Sequence, residues 1–111
     1  MNEQIINLKR GLLPLILLSL LKKADMYGYQ MVQETGRQSQ GRIITQEGSL
    51  YPVLYRLEQA GYVSQYKVPS GPRMIRNYYH LEPAGEEYLN KVIEEYDYIT
   101  EGIRLILGRQ G

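Results

Sequence analysis

Few side chains in this sequence could carry covalent chemistry. There is no cysteine, and His80 is the one histidine. A disulfide framework and a cysteine metal site are excluded, and a lone imidazole holds zinc only where several carboxylates converge on it. No carboxylate stands in step with His80 along its own stretch. Pro69-Ser70-Gly71-Pro72 has too few glycines, and no following helix, for a phosphate loop. No catalytic residue, metal or cofactor is expected, and the chain does not read as an enzyme. The groups suited to noncovalent recognition are better ordered. Gln46, Ser49, Tyr51, Tyr55, Arg56 and Gln59 offer amides, hydroxyls, aromatic rings and a cation within one short stretch. Interleaved with them, Leu50, Val53, Leu54 and Leu57 fall at i, i+3, i+4 and i+7, one apolar face of a helix. Thr45 can cap its start, and Gly61 can end it in a left-handed turn. A helix buried on one side, with such groups on the other, is built like the reading helix of a helix-turn-helix. An ordinary half-buried helix has the same outline, so the rest of the chain must decide.

The elements around this helix follow from periodicity. Residues 2–10 are polar with scattered Ile5, Ile6 and Leu8, a short helical arm or frayed turn. A helix from about Gly11 to Lys23 is apolar almost all round, which implies burial on more than one side, in part against a second subunit. Pro14 should bend or break any helix running through from residue 3. Asp25 is expected to cap a helix from Met26 to about Thr35, with Gly36 as its stop. Gln38 to Gly41 reads as a loop, and Arg42 to Ile44 as a short strand-like lead-in to the reading helix. Tyr62 to Val68 and Ile75 to Leu81 alternate as strands around a turn, making a hairpin over 62–81. Lys67, Arg73 and Arg76 lie near its tip, where they could hold phosphates or protect a sheet edge from pairing. From Glu82 and Pro83 a helix runs to about Leu107. Its apolar residues Leu89, Val92, Tyr96, Ile99, Ile103 and Ile106 are spaced 3, 4, 3, 4, 3, a coiled-coil seam that pairs with another helix or packs on its own domain.

With 111 residues the chain is one domain's worth, and 43% hydrophobic content supports a small core to which association would add burial. The net charge of +1 hides a split. Residues 1–81 carry ten Lys/Arg against five Asp/Glu, whereas residues 82–111 carry three against seven. A basic front suits a polyanion, and an acidic tail does not. Eleven tyrosines with no Phe or Trp suit half-wet interfaces and the core alike. The longest near-apolar run, Leu12 to Leu21, is too short to span a bilayer. The N-terminus lacks a signal-peptide layout, so no membrane association and a cytoplasmic location are expected.

The order of helix, helix, short strand, helix, hairpin and long helix is mainly α with a small β wing. It reads as a winged helix-turn-helix over residues 1–81, followed by a C-terminal dimerisation helix over 82–111. With the charge split, this favours a symmetric dimer on double-stranded DNA. A winged helix that docks an acidic protein, and a small-molecule sensor without specific DNA binding, are the alternatives.

The sequence resembles the PadR-like transcriptional regulators of the short type with one C-terminal helix. Gly11-Leu12-Leu13 through Leu21, Tyr27-Gly28-Tyr29, Gly48-Ser49-Leu50-Tyr51-Pro52 through Glu58, Gly61-Tyr62-Val63, and Arg76-Asn77-Tyr78-Tyr79-His80-Leu81 with Gly85 carry the resemblance. It implies a homodimeric bacterial or archaeal repressor released from DNA by a small hydrophobic or phenolic effector. By the same resemblance Tyr27, Ser49 and Tyr51 contact DNA, and the wing cations hold its backbone. The reading helix would begin near Thr45, leaving Pro52 inside it, although the residues alone favour a start at Ser49. Some short members stack planar drugs on a Trp between subunits; here Tyr96, on the seam, is the residue available to do so.

Overall fold

The computed structural model describes residues 3–110; the side chains of Ile5 and Ile6, expected in the N-terminal arm, lie outside the described residues. The elements are α1 (Glu3–Lys23), β1 (Met26–Tyr27), α2 (Gly28–Gln38), α3 (Glu47–Gln59), β2 (Val63–Pro69), β3 (Ile75–Leu81) and α4 (Pro83–Leu107). The strands form one antiparallel sheet in the order β1-β3-β2. This is the mainly helical fold with a small wing that the periodicities imply.

Helix α1 runs unbroken through Pro14. An interior proline costs a helix about 3 kcal/mol. Against that, Leu13, Leu17, Leu18, Leu20 and Leu21 are all buried, each worth about 2 kcal/mol. Burial therefore holds the two halves in one helix where local preference alone breaks it. The same leucines meet Met31 of α2, Leu50, Val53, Leu54 and Leu57 of α3, Val63 and Tyr79 of the sheet and Leu89 of α4 in a single core.

The short strand is not at Arg42–Ile44. It is Met26–Tyr27, pairing with Tyr79 and Tyr78 of β3. That pairing keeps α2 from starting before Gly28, so Asp25 cannot cap it, and Tyr27 occupies the N-cap position with no side-chain bond. Nor does Gly36 stop α2. The helix continues to Gln38, and the chain reverses at Gln40 and Gly41, both with positive φ. Helix α3 begins at Glu47, between the two starts expected for it, with Gln46 rather than Thr45 at the N-cap. Pro52 lies inside it, and Leu50, Val53, Leu54 and Leu57 are buried as their spacing requires. Gly61, at φ +81°, turns the chain into the wing.

Three contacts at Tyr62 dock the start of α4. The backbone N–H of Glu82 donates to the Tyr62 carbonyl at 3.0 Å, and Gly85 lies so close to that carbonyl that any Cβ would overlap it. The Tyr62 and Tyr88 rings stack with centroids 4.2 Å apart. Beyond this anchor α4 leaves the domain, and the molecule measures 56 × 32 × 22 Å. Leu89 is fully buried within its own subunit, so the first seam residue belongs to the core. Val92 is half-buried. Tyr96, Ile99, Ile103 and Ile106 are 41%, 51%, 49% and 87% exposed. No helix among the described residues is long and apolar enough to cross a membrane.

Candidate nucleic-acid interface

Helix α3 turns about 100° per residue. With Leu50, Val53, Leu54 and Leu57 buried, the direction away from the core falls on Gly48, Pro52, Tyr55 and Gln59. Tyr55 is 62% exposed, so it points outward more directly than Tyr51. Tyr51 and Ser49 flank this outward face on opposite sides, and Arg56 lies on the Ser49 side. The Tyr51 side leans on α2, where the phenol meets Gly28. The Ser49 side leans on α1, where Ser49, Pro52, Val53 and Arg56 border a hollow with Arg10 and Leu13. All of Gln46, Ser49, Tyr51 and Arg56 are exposed.

The Tyr51 hydroxyl donates to Glu47 Oε2 at 2.8 Å. That bond, helped by burial, pushes the phenol up to about 12. Tyr51 is therefore a neutral hydrogen-bonding group at any physiological pH, and it adds no charge to repel a phosphate.

The wing presents a second set of groups. On the outer face of the sheet, Tyr27, Tyr78 and Tyr66 form a row across the three strands. Tyr27 meets Tyr78 edge-on at 5.3 Å, and Tyr78 stacks on Tyr66 at 5.7 Å. The Arg76 guanidinium lies over the Tyr27 ring, 4.3 Å from its centroid. Tyr27 and Arg76, distant in sequence, are thus one unit. Lys67 is not part of it. Strand alternation sends Lys67 to the opposite face of the hairpin from Tyr66 and Arg76. Arg73 lies in the exposed turn between the strands.

His80 has the carboxylate partner that its own strand does not supply. Its Nδ1 lies 2.8 Å from Asp25 Oδ1, while the Tyr66 hydroxyl donates to Asp25 Oδ2 at 2.7 Å. Asp25 thus ties both wing strands to the turn after α1. The hydrogen bond to Asp25 raises the imidazole above its ordinary value, against the pull of partial burial. Burial pushes Asp25 up, but bonds from Tyr66 and His80 outweigh it and hold the carboxyl below its ordinary value. The hydrogen bond to Asp25 likewise raises the Tyr66 phenol. Among the described residues no cluster of acids or histidines could hold a metal ion.

Sequence reasoning missed the Asp25–Tyr66–His80 link and the place of Arg10 beside α3. Neither has a local signal, since 41 and 55 residues separate Asp25 from its partners. The aromatic outer face has no local signal either, because Tyr27, Tyr78 and Tyr66 come one from each of the three strands.

The family model described as the transcriptional regulator PadR-like family matches residues 17–91. A transcriptional regulator from Clostridium thermocellum superposes with a TM-score of 0.79 at 30% identity, over 94% of this chain and 95% of that one. A PadR family transcriptional regulator from Eggerthella lenta gives 0.82 at 26% identity, over 96% and 91%. Bacillus subtilis PadR, solved in complex with operator DNA, gives 0.68 at 21% identity, over 74% of this chain and 47% of that one. That last likeness is one of fold alone.

Proposed function

Because the chain belongs to the PadR-like family of transcriptional regulators, a family of regulators and not of enzymes, we propose that it reads an operator in double-stranded DNA as a homodimer. The observation that carries this reading is the exposed face of α3, flanked by Ser49 and Tyr51, with Arg76 held over Tyr27 next to the Gly28 on which Tyr51 rests. In this reading α3 enters the major groove with its N-terminal residues toward the bases, and Tyr27, Arg56, Lys67, Arg73 and Arg76 contact the backbone. The solved operator complex of Bacillus subtilis PadR, which shares the fold, supports the DNA partner. The apolar stripe on α4 from Val92 to Ile106 supports pairing with a second copy, since isolated helices rarely keep such a stripe in water. Two copies related by a two-fold axis would set their reading helices one DNA turn, about 34 Å, apart. In this reading the regulator acts as a repressor, and a small hydrophobic or phenolic effector releases it.

The test is fluorescence anisotropy on duplex DNA from upstream of the protein's own gene, against scrambled DNA, over a salt series. Four cations in each of two subunits neutralise about eight phosphates, which gives a slope of log K on log salt near −7. Sequence-dependent binding with a steep slope is the expected result. Weak binding with no sequence preference on any promoter-derived fragment refutes the operator reading.

A further inference from the structure

A cleft of about 400 Å³ lies between the N-terminal half of α1 and the segment that leads into α3. Its apolar wall is aliphatic throughout: Leu13 from α1, and Ile43 and Ile44 from the lead-in. Lys9 and Arg10 stand at one side, and among the described residues neither has an ion-pair partner. Thr45 also lines the cleft, and its Oγ1 is buried without a hydrogen-bond partner. Gln46 and Ser49, at the N-terminal end of the reading helix, complete the lining.

This combination selects a ligand class. The size falls within the range of small-molecule sites. Two cations beside a positive helix end reject a cation and favour one anionic head. The aliphatic wall rejects a bare phosphate, which would leave it wet, and it offers no aromatic ring for stacking a planar drug. We infer that the cleft binds an aliphatic monocarboxylate, with the carboxylate at Lys9 and Arg10 and the alkyl chain along Leu13, Ile43 and Ile44. The site is separate from Tyr96 on α4.

A consequence for DNA follows from shared residues. Gln46 and Ser49 line the cleft and also head the reading helix, so ligand and operator compete for the placement of the same groups. A ligand that binds the DNA-free form better lowers operator affinity, and DNA lowers ligand affinity by the same factor. This half of the inference rests on the operator reading proposed above; the binding half does not.

The probe is octanoate, titrated by calorimetry into the whole chain without DNA, with methyl chemical shifts recorded in parallel. Inorganic phosphate supplies the charge without the tail, and 1-octanol the tail without the charge. Octanoate is expected to bind more tightly than either, and to shift the methyl signals of Ile43 and Ile44. The double variant Lys9→Gln, Arg10→Gln should weaken octanoate by about tenfold or more. Ile44→Asn, at a residue 63% exposed in the free chain, should weaken it with no loss of fold. Unchanged affinity in both variants, shifts confined to α4 around Tyr96, or equal binding of phosphate or 1-octanol overturns the site. If octanoate binds the cleft but leaves operator affinity unchanged, the coupling to DNA is overturned. A chain that binds no DNA at all refutes the operator reading, and the calorimetry still decides the site.

Discussion

Tyr51 of the reading helix rests on Gly28 at the start of α2. A Cβ on Gly28 would stand 2.5 Å from the phenolic oxygen and 3.0 Å from Cζ. Glu47 accepts the phenol's proton at 2.8 Å. The ring is thus set between two helices, and the missing side chain of Gly28 is what makes room for it.

Gly28→Ala should separate stability from recognition. The atoms in its way belong to the far end of a side chain, which can swing aside. The melting temperature should therefore hold. Tyr51 must leave its position, so operator affinity should fall by roughly tenfold. Affinity equal to wild type in anisotropy would mean that the position of Tyr51 has no part in DNA contact.

Gly85→Ala should behave in the opposite way. Here the obstacle is the Tyr62 carbonyl, with Leu81 Cδ1 2.7 Å away, and the site is buried. Backbone that anchors both the end of α3 and the start of α4 cannot swing aside. Overpacking of this kind costs about 1–3 kcal/mol. A clear fall in the urea midpoint is expected, while any protein that remains folded binds DNA as before. An unchanged midpoint would mean that α4 docks more loosely than this contact implies.

The elements set by one face of a helix were legible in the sequence. Leu50, Val53, Leu54 and Leu57 announce α3, and the register of Ile75 to Leu81 announces β3, because a 3.6- or 2-residue period survives in any context. The features that were misjudged depend on distant partners. Met26 and Tyr27 carry no strand signal of their own, and they become a strand because Tyr78 and Tyr79 offer an open edge. Pro14 argues for a break until five buried leucines are weighed against it. The site followed the same rule. The outer residues of α3 could be read from their spacing, whereas Arg76 on Tyr27 and Asp25 on His80 exist only once the sheet has formed, and Tyr51 on Gly28 only once α3 packs on α2.

Arg76→Ala should weaken DNA binding without selecting among sequences. The guanidinium is held over Tyr27 at 4.3 Å, a contact worth about 0.5–1 kcal/mol when partly exposed. Stability should thus fall by no more than that amount. If Arg76 reaches a phosphate in each subunit, the salt slope should become shallower by about 2. An unaltered slope would leave Arg76 as a brace for the tyrosine row.

The Asp25–His80 pair should make the wing's stability depend on pH. A histidine whose folded value is raised stabilises fully below its unfolded value, near 6.5, and loses that contribution as pH rises through the folded value. An aspartate whose folded value is lowered stabilises above its unfolded value, near 3.8, and loses it as pH falls through the folded value. The two contributions coincide between 3.8 and 6.5. Both side chains are substantially exposed, so the pair is worth at most about 1 kcal/mol. The melting-temperature gap between wild type and His80→Gln should be widest between pH 3.8 and 6.5 and close as pH rises through the raised imidazole value. A gap that widens as pH rises above 6.5 would contradict the pairing.

Tyr96→Asp tests whether α4 pairs with a second copy. Tyr96 lies one turn past half-buried Val92, where the helix has left its own core, and its ring is 41% exposed. An added carboxylate there should leave the subunit folded, because the core has no atom to lose. In a paired seam the same carboxylate would be drawn out of water with no partner, at a cost of several kcal/mol. Light scattering should then report half the wild-type mass, with the helical circular dichroism kept except at the end of α4. Operator binding should fall with it, since a single subunit spans one half-site. A variant that stays dimeric would move the interface off Tyr96, Ile99 and Ile103, and leave that stripe in need of another partner.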